Sequence, residues 1–331
     1  MKKILLVILC GAMLMLSACG SGEKAKGKEK EKKTVKIGII QPVEHPSLDA
    51  AREGFIQALK DAGYEDGKNV KIDYQNAQGD MNNNMTIAQN LVADEKDLIL
   101  AIATSSAQAA VQSTKDIPIL FTTITDPIGA KLVSDLEKPG GNVTGTSDTH
   151  PDAIKNTITS IKEFIPDAKK VGIIYNSGES NAVVNVENAR EVLKEIGLEA
   201  VEATVSTSAE VKQAAESLLG RVDVLYIPKD NTVVAALESV IKVANEHKIP
   251  TFVGEGDSVK RGTFASYGIE YHDLGYSTGK MAVEVLEGKK PGDIPVGFPE
   301  KLELVINKKA AEQEGITLTE EMLKNAKIVG E

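Results

Sequence analysis

A pattern that opens at Lys36 begins again at Lys170. Lys170-Val171-Gly172-Ile173-Ile174 echoes Lys36-Ile37-Gly38-Ile39-Ile40, and Leu193-Lys194-Glu195-Ile196-Gly197-Leu198 echoes Leu59-Lys60-Asp61-Ala62-Gly63-Tyr64. Asp223-Val224-Leu225 matches Asp97-Leu98-Ile99, and Lys248-Ile249-Pro250 matches Asp116-Ile117-Pro118. Chance supplies any one such echo. Several in the same order point to two similar units in tandem.

Within each unit, β-branched runs alternate with amphipathic helical patterns, the signature of βαβ units and parallel sheets. Val35 to Ile40 reads as a strand. Leu48 to Ala62 reads as a helix with Leu48, Ala51, Phe55, Ala58 and Leu59 on one face and Gly63 as its C-terminal cap. Asp97 to Ala103 is a continuous apolar run of the kind buried on both sheet faces. The expected fold class is α/β: two Rossmann-like lobes with parallel sheets, joined by crossover strands. Beyond the second unit the pattern predicts a strand over Gly262 to Ile269, a helix over Asp273 to Leu286, a strand over Leu302 to Ile306 and a helix over Lys308 to Glu314. These late elements make the chain pass between lobes near Thr146, Tyr267 and Pro295. The lobes are therefore expected to comprise residues 34–147 with about 268–295, and 148–267 with about 296–331.

The first 33 residues read differently. Lys2 and Lys3 precede an apolar stretch from Ile4 to Leu16, giving a secretory signal over residues 1–18. The stretch is too short to span a bilayer. It ends in Leu16-Ser17-Ala18-Cys19, which resembles the lipobox of bacterial lipoproteins and implies acylation of Cys19. Residues 19–33 then form a Lys/Glu-rich tether onto which no fold should be forced.

Composition removes several functions. Cys10 and Cys19 are the two cysteines, so the body has no disulfide, thiolate metal site or cysteine nucleophile. The four histidines lack metal-binding spacing, and no metal or cofactor is expected. His45 and His150 each precede a proline in a loop, where either could face the cleft although a surface position is the simpler expectation; Tyr175 and Tyr226 read as core or rim. Net charge is −10 overall, and setting aside the basic leader and tether leaves the body near −15. An acidic body argues against nucleic acid as a partner. No GxGxxG follows the first strand, and no P-loop or GxSxG elbow occurs, so an enzyme on this fold would lack an activated nucleophile or base.

Open parallel sheets bind ligands beyond the carboxyl ends of their strands. In the first lobe those ends carry Thr104-Ser105-Ser106 and Thr123-Ile124-Thr125-Asp126. In the second they carry Asn176 to Asn181, Lys229-Asp230-Asn231 and Gly254-Glu255-Gly256-Asp257. Hydroxyls and free N–H groups at a helix start suit a carboxylate. Carboxylates on the opposite lobe suit an ammonium. A zwitterionic amino acid would satisfy both, although Ser105, Asp126 and Asp230 are also good helix caps.

The lipobox, the two lobes, and the segments Gly38-Ile39-Ile40-Gln41, Asp126-Pro127-Ile128-Gly129-Ala130, Pro139 to Gly145, Gly178-Glu179-Ser180-Asn181 and Asp230-Asn231-Thr232 resemble substrate-binding lipoproteins of bacterial ABC importers. More narrowly they are similar to the branch for aromatic amino acids, tyrosine or tryptophan. The resemblance implies a type I periplasmic-binding fold with three crossovers, no enzymatic activity, a monomer, lipid anchoring on the extracytoplasmic face of the membrane, and ABC permease subunits as partners. On that reading Ser105, Ser106 and Thr125 hold the ligand carboxylate. Asp230 and Asn231 hold the amine, with Glu179 or Asp257 assisting, and Asn181, Gln41 and Asp126 belong to the ligand-binding set around them. With no tryptophan in the chain, an aromatic ligand would rest on Tyr or Phe. Nucleoside or sugar capture and a surface-adhesion role are the alternatives.

Overall fold

A computed structural model describes residues 34–330. The signal, Cys19 and the tether lie outside the described residues.

The first lobe is built from β1 (Val35–Gln41), α1 (Pro46–Asp61), β2 (Val70–Asn76), α2 (Met81–Ala93), β3 (Leu98–Ile102), α3 (Thr104–Ser113), β4 (Ile119–Ile124) and β5 (Val143–Ser147). Its strands form a parallel sheet in the order β2-β1-β3-β4-β5. The chain then crosses to the second lobe: α4 (Ala153–Phe164), β6 (Lys170–Asn176), α5 (Ser180–Glu195), β7 (Glu199–Val205), α6 (Val211–Ser217), β8 (Val224–Ile227), α7 (Asn231–Ala235), α8 (Leu237–His247), β9 (Thr251–Val253), α9 (Gly256–Arg261) and β10 (Ala265–Gly268). α10 (Tyr271–Leu286) returns to pack on α1. β11 (Glu303–Asn307), α11 (Lys308–Gln313), α12 (Glu320–Leu323) and β12 (Ala326–Val329) close the second lobe. The second sheet runs β12-β11-β10-β9-β8-β6-β7, parallel except where β11 meets β10. The two-lobed α/β architecture expected from the sequence is the one observed. The last strand, β12, adds to the elements that the sequence pattern predicts.

The sequence echoes have a physical cause. A Cβ on Gly38 would lie 2.9 Å from Leu91 of α2, and one on Gly172 would lie 2.9 Å from Leu218 beyond α6. Each glycine lets a leucine sit directly on the sheet, where any side chain would push it off. The paired aspartates also correspond: Asp97 Oδ2 accepts the Lys36 amide at 2.8 Å, and Asp223 Oδ2 accepts those of Lys169 and Lys170 at 2.8 Å. In both lobes a carboxylate thus ties the start of the first strand to the connection beside it.

α10 docks on α1 through small residues. Ideal Cβ atoms would fall 2.0 Å from the His272 carbonyl at Gly54 and 1.8 Å from the Ala51 carbonyl at Gly275. In the second lobe, Phe164, Phe252 and Phe264 pack edge to face around Phe264, with centroids 5.0 and 5.3 Å from its ring. Among the described residues, no helix is long and apolar enough to cross a membrane.

Candidate functional site

The carboxyl ends of the two sheets face each other, and side chains meet directly across the gap. Ser47 Oγ donates to Glu255 Oε1 at 2.7 Å, His45 Nε2 lies 3.3 Å from Asn231 Oδ1, and Asn185 Nδ2 donates to Thr125 Oγ1 at 3.3 Å. Such contacts require the lobes to be closed on one another.

An inner cavity of about 20 Å³ remains between them. The first lobe contributes His45, Leu48, Thr123 and Thr125; the second contributes Asn181, Lys229, Asp230, Asn231, Val234 and Glu255. Two further walls, Asp148 and Tyr271, come from the crossover segments. Lys229 Nζ donates to the Asp148 carbonyl at 2.5 Å and lies 3.5 Å from Asp148 Oδ1. Thr125 Oγ1 donates to that same Oδ1 at 3.4 Å, while the Tyr271 hydroxyl donates to Oδ2 at 3.1 Å. Burial and the neighbouring Asp148 carboxylate push the Tyr271 hydroxyl well above the usual tyrosine range. A cation and several acids therefore share one desolvated space, where unmatched charge is costly and a matching charged ligand is favoured.

Asp230 sits at the N-terminus of α7. Its Oδ1 accepts the Val233 amide at 2.8 Å and its Oδ2 the Asn176 amide at 2.5 Å. Burial, and then the Glu179 charge, push its carboxyl upward. Both its capping role and its place on the cavity wall are real, so the two readings of this residue are not exclusive.

His45 corrects an expectation. It is 5 % exposed, its Nδ1 has no partner, and its ring lines the cavity. Pro46 opens α1, and His45 before it takes the extended conformation expected ahead of a proline, here placing the ring between the lobes. His150 lies beside the cleft instead, accepting the Asp152 amide through Nδ1 at 3.2 Å. Tyr175 and Tyr226 are core residues.

Of the ten ligand-site residues expected from the sequence, Thr125, Asn181, Asp230 and Asn231 line the inner cavity. Asp126 lines an adjoining space, with Oδ1 accepting the Gly129 amide at 2.8 Å. Glu179 lies just behind, its carboxylate accepting the amides of Asn231 and Thr232 and so holding α7 in place. The other four are not on the cavity wall. Ser105 and Ser106 bond Asn84 of α2, Ser106 Oγ donating to Asn84 Oδ1 at 2.8 Å. Gln41 is buried against α1, donating to Asp49 and accepting from Arg52. Asp257 pairs with Lys260 at 2.7 Å, and burial raises its carboxyl.

Lys229 and Glu255 stand in the same strand-end segments as Asp230 and Asp257, and nothing local to either segment marks which side chain enters the cavity. Asp148 and Tyr271 carried a subtler signal: each follows a strand that ends at a crossover, so each is a strand-end residue too.

A family model described as ABC transporter substrate binding protein matches residues 36–329. A tyrosine-binding protein of Clostridioides difficile is 50% identical over 313 residues, covering 92% of this chain and 90% of that protein. The crystal structure of an ABC domain in complex with L-Trp from Streptococcus pneumonia is 40% identical, covering 90% of this chain and 100% of that one, with a TM-score of 0.85. The ligand-free, open structure of a Clostridium difficile substrate binding protein with adhesive properties is 44% identical, covering 89% and 99%, with a TM-score of 0.66. At comparable identity, the chain's shape is nearer the complexed structure than the open one, as its direct cross-cleft bonds require.

Proposed function

The chain belongs to the ABC transporter substrate-binding protein family, and from that premise we propose that it captures an aromatic amino acid between its lobes and hands it to a membrane permease. The observation that carries this reading is the gathering of Lys229, with its partner Asp148, and the carboxylates of Asp230 and Glu255 around one buried cavity. A zwitterion brings both charges that such a wall needs.

The ligand carboxylate takes the Lys229 ammonium and the Thr125 hydroxyl, displacing the Asp148 contact. The ligand ammonium lies toward Asp230, Asn231 and Glu255. Ser105 and Ser106, named at the outset for the carboxylate, support this wall by fixing α3 against α2. His45 Nδ1, buried without a partner, accepts from or donates to the ligand according to its tautomer. The lobes hinge about the three crossovers, and closure presents a single shape to the permease. Capture rather than catalysis is the task. Lipid attachment through Cys19, with residues 20–33 as a spacer, would hold the monomeric body on the extracytoplasmic face of the membrane.

A thermal-shift screen of the mature protein against amino acids, nucleosides and simple sugars tests the reading. A ligand at 100 times its Kd adds about 2.7 kcal/mol of stability. Tyrosine, tryptophan or phenylalanine should raise the melting temperature. If none does and a sugar or nucleoside does, the aromatic assignment is wrong.

A further inference from the structure

Glu179, capping α5, stands behind the cavity wall, yet donors converge on both of its carboxylate oxygens. Oε1 accepts the Thr232 amide at 2.9 Å and the Thr232 hydroxyl at 2.6 Å. Oε2 accepts the Asn231 backbone amide at 3.1 Å, the Asn231 side-chain Nδ2 at 2.7 Å and the Asn181 Nδ2 at 3.2 Å. A carboxylate surrounded in this way can only accept. Asn231 must therefore turn Nδ2 toward Glu179 and Oδ1 the other way, toward His45 Nε2 at 3.3 Å across the cleft. Since Oδ1 is itself only an acceptor, the proton of the His45 ring belongs on Nε2. Nδ1 is then left bare on the wall of the inner cavity, without a partner, in a residue that is 5 % exposed. A second proton at Nδ1 would make a buried cation whose new N–H has no acceptor. We infer that Glu179 is a positioning residue that sets the tautomer of His45 through Asn231, so that the closed cleft presents a hydrogen-bond acceptor at His45 Nδ1; the inference rests on the amino-acid reading above and adds how one lobe fixes the polarity of a side chain on the other.

The relay works only on closure. Glu179 and its donors Asn181, Asn231 and Thr232 all belong to the second lobe and move together, whereas His45 belongs to the first. In an open cleft nothing in this relay dictates which ring nitrogen carries the proton. Closure selects one. A ligand that donates toward Nδ1, as an ammonium does, is matched by that choice. A ligand with only an acceptor there would set lone pair against lone pair, leaving a desolvated polar group on each side. Glu179 thereby contributes to selection for the ammonium without touching it.

The experiment uses the mature protein with two probes, L-tyrosine and its deaminated analogue, in which hydrogen replaces the amine. Long-range proton–nitrogen correlation spectra separate protonated from bare ring nitrogens, and a His45→Gln spectrum assigns the His45 signals among the four histidines. With tyrosine bound, Nε2 should carry the proton and Nδ1 should be bare. In Glu179→Gln the new side-chain NH2 can turn toward Asn231, whose amide is then free to present Nδ2 to His45, and the Nδ1–H form should appear. Adding Asn231→Asp returns a carboxylate to the relay, now beside His45, and should restore the Nε2–H form. Calorimetry should show Glu179→Gln weakening tyrosine about tenfold and the deaminated analogue by no more than about threefold. Circular dichroism and melting temperature check that the variants fold, and the wild-type spectrum tests the assignment whether or not they do. Equal weakening of the two probes with an unchanged tautomer would mean that Glu179 only holds α7 in place, and would overturn the relay. A protonated Nδ1 in the tyrosine-bound wild type would overturn it too, while leaving amino-acid capture intact. A wild-type protein that binds none of tyrosine, tryptophan and phenylalanine would overturn both readings.

Discussion

Ser47 in the first turn of α1 and Glu255 ahead of α9 are both buried and bonded across the cleft, Oγ to Oε1 at 2.7 Å. The same Oε1 accepts Ser258 Oγ at 2.7 Å within the second lobe. The carboxylate is thus held by its own lobe whether the cleft is open or shut, and Ser47 reaches it only on closure.

Ser47→Ala should therefore shift the balance toward the open form without disturbing either lobe. A hydrogen bond to a charged group contributes about 1.5–3 kcal/mol, so ligand affinity should fall by about tenfold or more. Calorimetry measures this, and small-angle scattering of the liganded protein should show a larger radius at subsaturating ligand. Equal affinity in the variant would mean the contact contributes nothing to closure.

Lys229→Met keeps most of the apolar stem of the side chain and removes its charge. Asp148 retains the Tyr271 hydroxyl with or without ligand, so the hinge segment keeps a hydrogen-bond partner. The lost charge-assisted contact to a ligand carboxylate should weaken amino-acid binding by about one to two orders of magnitude. The amino acid's decarboxylated amine, which has no carboxylate to lose, should bind wild type and variant within a factor of about three. If both ligands weaken equally, Lys229 acts through packing and not through the carboxylate.

How much of this was legible beforehand depends on distance along the chain. The Lys36 and Lys170 units announced themselves because sheet packing repeats locally: the same glycine under the same leucine, the same aspartate at the same strand start. Strand ends flagged Thr125, Asp230 and Asn231 for the same reason. Ser106 was misdirected because a hydroxyl at a helix start looks alike whether it faces a cleft or a neighbouring helix, and only the position of Asn84 decides. Asp148 and Tyr271 lie 123 residues apart and gain meaning from their hydrogen bond, which no local pattern records. β12 was missed because Ala326–Val329 is short and half-buried at a sheet edge, where alternation is weakest.

The docking of α10 on α1 gives a prediction about stability. Gly275→Val would drive a side chain into the Ala51 carbonyl, which an ideal Cβ already approaches to 1.8 Å. Overpacking of this kind costs about 1–3 kcal/mol, and here backbone must move because no side-chain tip can yield. Urea unfolding should show a lower midpoint. Gly288→Ala, with open space around it but φ at +106, should cost less, about 1 kcal/mol. A larger loss at Gly288 than at Gly275 would contradict close helix packing as the cause.

Glu314 should make the stability depend on pH. Burial raises its carboxyl from 4.5 to about 8, outweighing the two bonds it accepts from Thr251, at 2.8 Å from the amide and 2.6 Å from the hydroxyl. In the unfolded chain the group titrates near the ordinary glutamate value. Its contribution to stability is therefore fully present below about pH 4.5 and is lost as pH rises toward 8, because unfolding then releases a proton that the folded state retains. Even half that shift corresponds to about 2 kcal/mol. Glu314→Gln removes the titration while keeping the shape and an acceptor for one Thr251 bond. Unfolding free energies from urea titrations at pH 5 to pH 9 should fall for wild type by about that amount relative to the variant, with the curves converging at the acid end. Parallel curves would show that Glu314 stays ionised in the folded protein, held by Thr251 in spite of its burial.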